Sequence, residues 1–195
     1  MTSKYKVSNG GDRHDDLPAK KDIVLACGSG SGAALPINSG PVPIGFLPAK
    51  VVVATVTLDT SKLDKPTVRI DFSSIVNFLA QPGSGGLSLS ILFTLSRACE
   101  GSRVPLGTWT YQKSVLFGNI VCAASEPSAA STQSNGGYGL DVEVDFRESF
   151  GFSWCECQDC PDCCTYIVEV VDVQAFGIQS VSITNVSISA LAVGC

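Results

Sequence analysis

Histidine is nearly absent from this chain of 195 residues, which contains only His14. His14 lies in a polar N-terminal stretch with charges of both signs, where a solvated side chain is the ordinary state. A Ser-His-Asp or Cys-His arrangement needs a histidine held in a cleft beside the nucleophile. We therefore expect that the protein is not an enzyme.

Basic residues are outnumbered, and long apolar runs are missing. Lys and Arg total 13 against 18 Asp and Glu, which gives a net charge of −5. Without a basic stripe to neutralise phosphates, nucleic-acid binding is not expected. The longest apolar runs, such as Ile23–Ala26 and 50–56, fall far short of the roughly 20 residues of a membrane-spanning helix.

A phosphate-binding loop is also missing. Gly28, Gly30 and Gly32 alternate with other residues, but no Lys-Ser/Thr pair and no predicted helix follows them. We predict neither a nucleotide site nor any other cofactor.

Helical periodicity is scarce, and alternation with period two takes its place. Strand patterns of this kind, with one buried and one solvated face, favour sheet over helix. The predicted strands are 51–58, 67–72, 87–95, 108–117, 140–146, 165–174 and 178–193. One weak helical pattern covers Ser73–Ala80. The pattern predicts an all-β fold, an antiparallel β-sandwich of the jelly-roll type.

The first part of the chain differs in composition from the rest. Residues 1–22 are polar, residues 27–48 are rich in Gly and Pro, and a short strand is predicted between them. We divide the chain into an N-terminal arm, 1–48, and a sandwich domain, 49–195. The strand of the arm is predicted to add to a sheet edge of a neighbouring subunit. It consists of Asp22, Ile23, Val24, Leu25, Ala26 and Cys27.

Cysteine is abundant, and five of the nine residues fall within 155–164. The candidates for disulfides or cross-links are Cys27, Cys99, Cys122, Cys155, Cys157, Cys160, Cys163, Cys164 and Cys195. Their sulfurs could bond within the chain, between chains or to a metal. In a head-to-tail polymer each disulfide uses one cysteine from each of two different positions. An odd number of cysteines therefore leaves at least one sulfur per chain outside such pairing.

Metal binding is the weaker interpretation of the cluster. Cys157, Cys160 and Cys163 have C-x2-C-x2-C spacing, but Ile167 stands where a ferredoxin-type motif has its fourth cysteine. A zinc site would need a further ligand, which only a remote thiol could supply. We favour disulfides and predict no metal.

The spacing of the cluster predicts where its thiols point. Cys155 and Cys157 would lie on one side of an extended chain, whereas the adjacent Cys163 and Cys164 would point to opposite sides. The latter two are predicted to have different partners, one across the sandwich and one on another subunit. For Cys27, a cross-link and a local intrachain bond are both open. For Cys195, the local bond is favoured.

The N-terminus lacks the pattern of a secretory leader, although disulfide-rich chains usually lie outside the cell. Three explanations are open: a leader absent from this sequence, thiols that hold metal in the cytosol, or release when the producing cell lyses, as for a bacterial spore-surface protein. We expect an extracellular or spore-surface location.

Four stretches carry a resemblance to known proteins. They are 25–32 (LACGSGSG), 55–60 (TVTLDT), 66–72 (PTVRIDF) and the cysteine cluster running into 165–170 (TYIVEV). In these stretches the chain resembles an uncharacterised clostridial family of small β-rich proteins. In architecture it is similar to the subunits of bacterial endospore appendages.

The second resemblance implies a jelly-roll body, an N-terminal connector that docks on earlier subunits, and disulfides between subunits. Cys27 would then correspond to a connector cysteine. Appendage connectors carry cysteines close to their start, whereas here a long polar stretch precedes Cys27.

Together these features predict a structural subunit that forms a head-to-tail homopolymer, a disulfide-stabilised fibre joined by its N-terminal strand. Two other hypotheses are a monomeric jelly-roll binding module stapled by disulfides and a cysteine-cluster metal-binding protein.

Overall fold

A computed structural model describes residues 22–37, 50–80, 85–116, 144–157 and 163–194, and these residues contain ten strands and no helix. The strands are β1 (Ile23–Cys27), β2 (Ser29–Gly30), β3 (Ala33–Leu35), β4 (Val51–Asp59), β5 (Thr67–Ala80), β6 (Gly86–Cys99), β7 (Ser102–Leu116), β8 (Asp145–Cys157), β9 (Cys163–Phe176) and β10 (Ile178–Val193). Over these ranges no helix is available to cross a membrane.

The strands form two antiparallel sheets. Sheet A has the order β1-β10-β5-β8, with β3 also paired to β10, and sheet B has the order β2-β4-β9-β6-β7. From β4 to β10, successive strands change sheets at every step except the hairpin β6–β7. The predicted all-β antiparallel sandwich is confirmed, while its narrower assignment as a jelly roll stays a prediction.

The core lies between the sheets and is built from the alternating positions of the long strands. In β5, Val68, Ile70 and Phe72 are buried, and in β6 Ile91 and Phe93 are fully buried. Because side chains on a strand alternate between faces, the residues between them point to solvent. The outer faces of both sheets therefore carry most of the polar side chains.

The helix predicted over Ser73–Ala80 is wrong, because β5 continues as a strand to Ala80. Val76, Phe78 and Ala80 are buried at every second position, which is the period of a strand with one face in the core. Other strands also extend beyond their predicted bounds, above all β7, which begins at Ser102, and β8, which continues to Cys157. Residues 140–143 of the strand predicted there lie outside the described residues.

The N-terminal segment crosses from one sheet to the other and back. β1 pairs with β10 in sheet A, β2 pairs with β4 in sheet B, and β3 returns to β10. At the first crossing the Gly28 N–H donates to the carbonyl of Ile188 at 2.9 Å. The boundary predicted between residues 48 and 49 lies outside the described residues.

Glycine is needed where this segment crosses. A Cβ on Gly28 would lie 2.2 Å from the carbonyl oxygen of Thr55, and one on Gly30 would lie 2.5 Å from that of Val186. Both obstacles are backbone atoms, which cannot rotate away as a side chain could. The Gly-x-Gly-x-Gly pattern therefore serves close packing of the segment between β4 and β10.

We expect Gly28→Ala to destabilise the protein by about 1–3 kcal/mol, because an added methyl group in a packed site forces the backbone to shift. Urea unfolding monitored by tryptophan fluorescence measures the loss. Ser31→Ala is the control, since Ser31 is exposed and contributes its backbone N–H to a bond with Val53 that the substitution retains. Equal stability of the two variants would contradict the close approach at Gly28.

Candidate assembly surface

Three of the exposed cysteines lie on one face of sheet A. Cys27 ends β1, and Cys155 and Cys157 lie near the end of β8. The neighbours Val24 and Ala26 on β1, like the alternate residues of β8, pack inward. By alternation, all three thiols lie on the outer face, as predicted for Cys155 and Cys157.

The register of the sheet fixes where these thiols lie relative to one another. Cys27 is level with Ser153, through Ser189 and Asp71 on the two strands between them. β1 and β8 are separated by three inter-strand spacings, which is about 14 Å. A disulfide needs Cα atoms within about 7 Å. Cys27 therefore cannot bond to Cys155 or Cys157 of the same chain in this fold.

Apolar side chains share the outer face of β1 with Cys27. Ile23 is 63% and Leu25 67% exposed, so this short strand leaves an unusual amount of hydrocarbon in water. Adjacent exposed apolar groups on a sheet edge are typical of a surface that pairs with another chain. We call Ile23–Cys27 the β1 edge and Ser153–Cys157 the β8 edge, meaning in each case the outer face and the backbone side that no other described strand pairs with.

Between the two edges the outer face is polar. The Ser153 hydroxyl donates to Asp71 at 2.5 Å, and the Arg69 guanidinium donates to the same carboxylate at 3.0 Å. These two donors lower the pKa of Asp71, with the Ser153 hydrogen bond as the larger cause. Asp71 therefore stays ionised at neutral pH and holds the Ser153 side chain of β8 against β5 beside the cysteines.

An aromatic seam holds β8 against sheet B from the inside. The rings of Trp109 on β7 and Phe152 on β8 stack at 3.8 Å, and Trp154 meets Trp109 edge-on at 6.1 Å. Further along β8, Phe150 stacks on Phe93 at 4.5 Å. Because β7 and β8 are edge strands of different sheets, ring contacts rather than backbone hydrogen bonds close this side of the sandwich.

Two carboxylates on the inner face of β8 are paired with partners from sheet B. Glu148 accepts hydrogen bonds from the Tyr111 hydroxyl at 2.8 Å and the Lys113 ammonium at 2.5 Å. Glu156 forms an ion pair with Arg97 at 2.9 Å and accepts from the Tyr166 hydroxyl at 2.8 Å. Burial raises the pKa of Tyr166, and its bond to Glu156 raises it further. The phenol therefore remains a donor at all ordinary pH values.

One disulfide lies within sheet B. Cys99 on β6 faces Cys164 on β9 directly, with Cα atoms 4.5 Å apart. The adjacent Cys163 is exposed, so the two neighbours do point to opposite sides, as predicted. The partner of Cys164 lies on the next strand of the same sheet, so the prediction that one of this pair bonds across the sandwich does not hold for Cys164.

The other predicted sulfur positions are only partly described. Cys122, Cys160 and Cys195 lie outside the described residues. The middle cysteine of the C-x2-C-x2-C spacing, Cys160, is therefore not placed relative to the other two. Within the described ranges, no three His, Cys, Asp or Glu side chains come together as a metal site would require. The predicted assembly strand, Asp22–Cys27, lies along β10 of its own chain, and pairing with another chain remains a prediction.

The aromatic seam was not predicted, although its signal is present in the sequence. Phe146, Phe150, Phe152 and Trp154 alternate with small or polar residues at the period of a strand. The strand predicted over 140–146 covers only the first of these rings. Extending the same alternation to Trp154 would have indicated a long strand with an aromatic inner face.

We expect loss of the Cys99–Cys164 bond to lower the free energy of unfolding by about 2–4 kcal/mol, because the bond closes a loop with a sequence separation of 65 residues. Urea unfolding of the Cys99→Ala/Cys164→Ala variant measures this. Reduced wild-type protein should be similarly weakened, whereas Cys157→Ser should match the oxidised wild type. An oxidised double variant as stable as wild type would contradict a stabilising role.

The pairing of Glu148 predicts a sensitivity to acid. Hydrogen bonds from Lys113 and then Tyr111 lower the pKa of Glu148 below its ordinary value of 4.5. Its contribution to stability is therefore present above about pH 4.5 and is lost as the pH falls through the lowered folded-state pKa. Glu148→Gln should be less stable at pH 7 and lose less stability between pH 5 and 3.

Chemical unfolding at several pH values checks this expectation. Glu100→Gln is the control, since it neutralises a carboxylate on an exposed turn. Parallel pH profiles for Glu148→Gln and wild type would show that the pairing does not matter to folding.

Comparison with known proteins identifies a family but no function. A search among curated proteins finds no significant match. A family model described as "Domain of unknown function (DUF4489)" matches residues 21–193, which include every strand of both sheets. The chain therefore belongs to the DUF4489 family.

Proposed function

We propose that the protein is a structural subunit that polymerises head to tail into a disulfide-stabilised fibre. The observation that supports this is the position of the exposed thiols: Cys27 lies on one edge strand of sheet A, and Cys155 and Cys157 lie on the other, all on one face. Thiols so placed are too far apart to bond across the sheet within a chain, but they are accessible to a second copy.

The β1 edge supports the same function, since no described strand pairs with the side of β1 that faces away from β10. An edge strand exposes unpaired N–H and C=O groups, and monomeric proteins usually protect such edges with charges, bulges or a cover. β1 carries Ile23 and Leu25 on its outer face, with no charged residue between Ile23 and Cys27. Pairing with another copy would satisfy these backbone groups and cover the apolar side chains. This favours an assembling subunit over the alternative of a monomeric binding module.

We further propose an extracellular or spore-surface location for the fibre. A formed disulfide and many additional cysteines suit an oxidising environment. The architectural resemblance to endospore appendage subunits supports the same location. Within such a fibre, the N-terminal strand would supply the connection between subunits.

We expect Leu25→Lys to abolish assembly while leaving the fold intact. Leu25 is 67% exposed, so its replacement removes little core contact, whereas a lysine on an edge strand opposes pairing with a neighbour. Negative-stain microscopy and sedimentation velocity under oxidising conditions measure assembly, and circular dichroism monitors folding. Phe176→Lys is the matched control, since Phe176 is 65% exposed at the end of a strand of sheet B.

Wild-type protein and Phe176→Lys should form polymers that survive dilution and shorten when a reductant is added. A wild type that sediments as a monomer under oxidising conditions would refute the proposed function and favour the binding module. Fibres formed equally well by Leu25→Lys would show that β1 does not take part in the contact between subunits.

A further inference from the structure

We propose, on the basis of this function, that the β1 edge of one copy pairs with the β8 edge of the next and that Cys27 bonds to Cys155 across the joint. The partner is thus a second copy of the chain, and the joint extends sheet A from one subunit into another. Three properties of sheet A support such a joint: strand direction, register and the face on which the side chains lie.

Strand direction makes the two edges of sheet A compatible. The path β1-β10-β5-β8 holds four strands, each antiparallel to the next, so β1 and β8 run in opposite directions. Simple translation of a second copy therefore places its β8 antiparallel to β1. Sheet B has five strands on its path, so its edges β2 and β7 run the same way and translation would pair them in parallel. Of the two sheets that the described strands form, only sheet A can thus continue through a simple head-to-tail repeat as an uninterrupted antiparallel sheet.

Register selects which cysteine of β8 meets Cys27. If the β8 of the next copy slid along β1 by one residue, the two thiols would lie on opposite faces of the sheet. Only shifts by an even number of residues therefore let the thiols meet. With no shift, Cys27 faces Ser153 of the next copy, and with shifts of two and four it faces Cys155 and Cys157. A shift of two sets Leu25–Cys27 against Cys155–Cys157, whereas a shift of four leaves only Cys27 opposite a residue of β8. The two-residue stagger, about 7 Å, both joins the thiols and retains backbone pairing.

The second short strand of the edge also finds a partner in this arrangement. β3 pairs with β10, β10 pairs with β5, and β5 pairs with β8. Followed across these pairings, Ala33 of β3 is level with Glu148 of β8. After the two-residue stagger, Ala33–Leu35 lies opposite residues 148–150 of the next copy, which is within β8. One long edge strand thus covers both short strands of the opposite edge.

Opposed cysteines on adjacent antiparallel strands already form a disulfide within the chain. Cys99 and Cys164 are such a pair, with a Cα separation of 4.5 Å. Cys27 and Cys155 of the next copy would also be directly opposed, at the wider Cα separation of a hydrogen-bonded pair, about 5.5 Å, which a disulfide can span. Both thiols are exposed, so the bond forms without opening either core.

The bond needs an oxidant, for which a low-molecular-weight disulfide such as oxidised glutathione is sufficient. The Cys27 thiol loses its proton, attacks one glutathione sulfur and releases a glutathione thiolate. The Cys155 thiolate of the next copy then attacks the Cys27 sulfur of the mixed disulfide and displaces the second glutathione. Two protein thiols are oxidised to one disulfide, and one glutathione disulfide is reduced to two thiols. The protons that the protein thiols lose pass through water to the two glutathione thiolates.

The shape of the polymer depends on the twist of the sheet. Each subunit adds four strands along the path, which is an advance of about 19 Å along the sheet. Because adjacent strands are rotated relative to one another, the extended sheet coils and the fibre is helical.

Isotope mixing tests the joint on the full-length chain. Reduced protein with natural nitrogen is mixed with an equal amount of ¹⁵N-labelled protein, oxidised with glutathione disulfide, alkylated and digested with trypsin and a glutamyl endopeptidase. Cleavage after Glu156 separates Cys155 from Cys157, and cleavage after Lys21 and Lys50 isolates Cys27. Mass spectrometry without reduction should find peptide 22–50 linked to peptide 149–156 in mixed-isotope pairs.

The outcomes separate this joint from the proposed function. Polymers linked through any other cysteine pair, Cys27–Cys157 included, would overturn the joint and leave the structural role standing. A monomer without mixed-isotope links would overturn both. A bond from Cys155 to another cysteine of its own chain would overturn the joint regardless of the state of assembly.

A pair of single variants gives an independent readout. Cys27→Ser and Cys155→Ser should each lose all disulfide-linked oligomers on non-reducing gels, whereas the matched Cys157→Ser should retain the full ladder. Cys27→Ser and Cys155→Ser mixed together should give linked dimers and nothing larger, because each variant supplies only one half of the joint. A ladder from either single variant, or loss of the ladder in Cys157→Ser, would overturn the assignment.

Discussion

The pairing of β5 with its two neighbours is the constraint that organises sheet A. β5 is hydrogen-bonded to β10 on one side and to β8 on the other over nearly its whole length. Through these registers, the position of every residue on β1 relative to β8 is fixed. Since a shift by one residue would turn the buried side chains of β5 to solvent, the core itself maintains the register. The hydrophobic core thereby determines which edge residues could meet in a neighbouring copy.

The N-terminal segment relies on a different feature, namely the absence of side chains at its crossings. Gly28 and Gly30 bring the backbone against Thr55 and Val186 more closely than any Cβ would allow. The positive φ of Asn185 accompanies a bulge in β10 near the second crossing. The segment is consequently integrated into both sheets of its own chain. One side of β1 is thereby held against β10, and no other described strand pairs with its opposite side.

Among the described residues, two groups of cysteines differ in their place in the fold. The Cys99–Cys164 bond joins the strands at one end of sheet B and limits the freedom of the unfolded chain. Cys27, Cys155 and Cys157 instead face solvent on sheet A, at positions where the fold keeps the first apart from the other two. The difference lies in burial and register, since the residue type is the same. A count of cysteines could not have separated the two groups.

Residue order alone was enough to establish the class of fold and the direction of many side chains. Alternation with period two indicated the sandwich, and it also placed Cys155 and Cys157 on one face and Cys163 opposite Cys164. It failed at Ser73–Ala80, where serine and alanine obscured a pattern that Val76 and Phe78 continue. Local periodicity is carried by neighbouring residues, so a single chain segment is enough to reveal it.

Which strands are neighbours is a property of the folded molecule alone. The pairing of Cys99 with Cys164, the stacking of Trp109 on Phe152 and the placement of Cys27 and Cys155 on opposite edges all relate residues far apart in sequence. Such relations depend on the order of strands in each sheet, which the hydrophobic pattern of any one strand does not encode. They arise when the whole set of buried faces is packed at once, because only then does each strand have a fixed partner on either side.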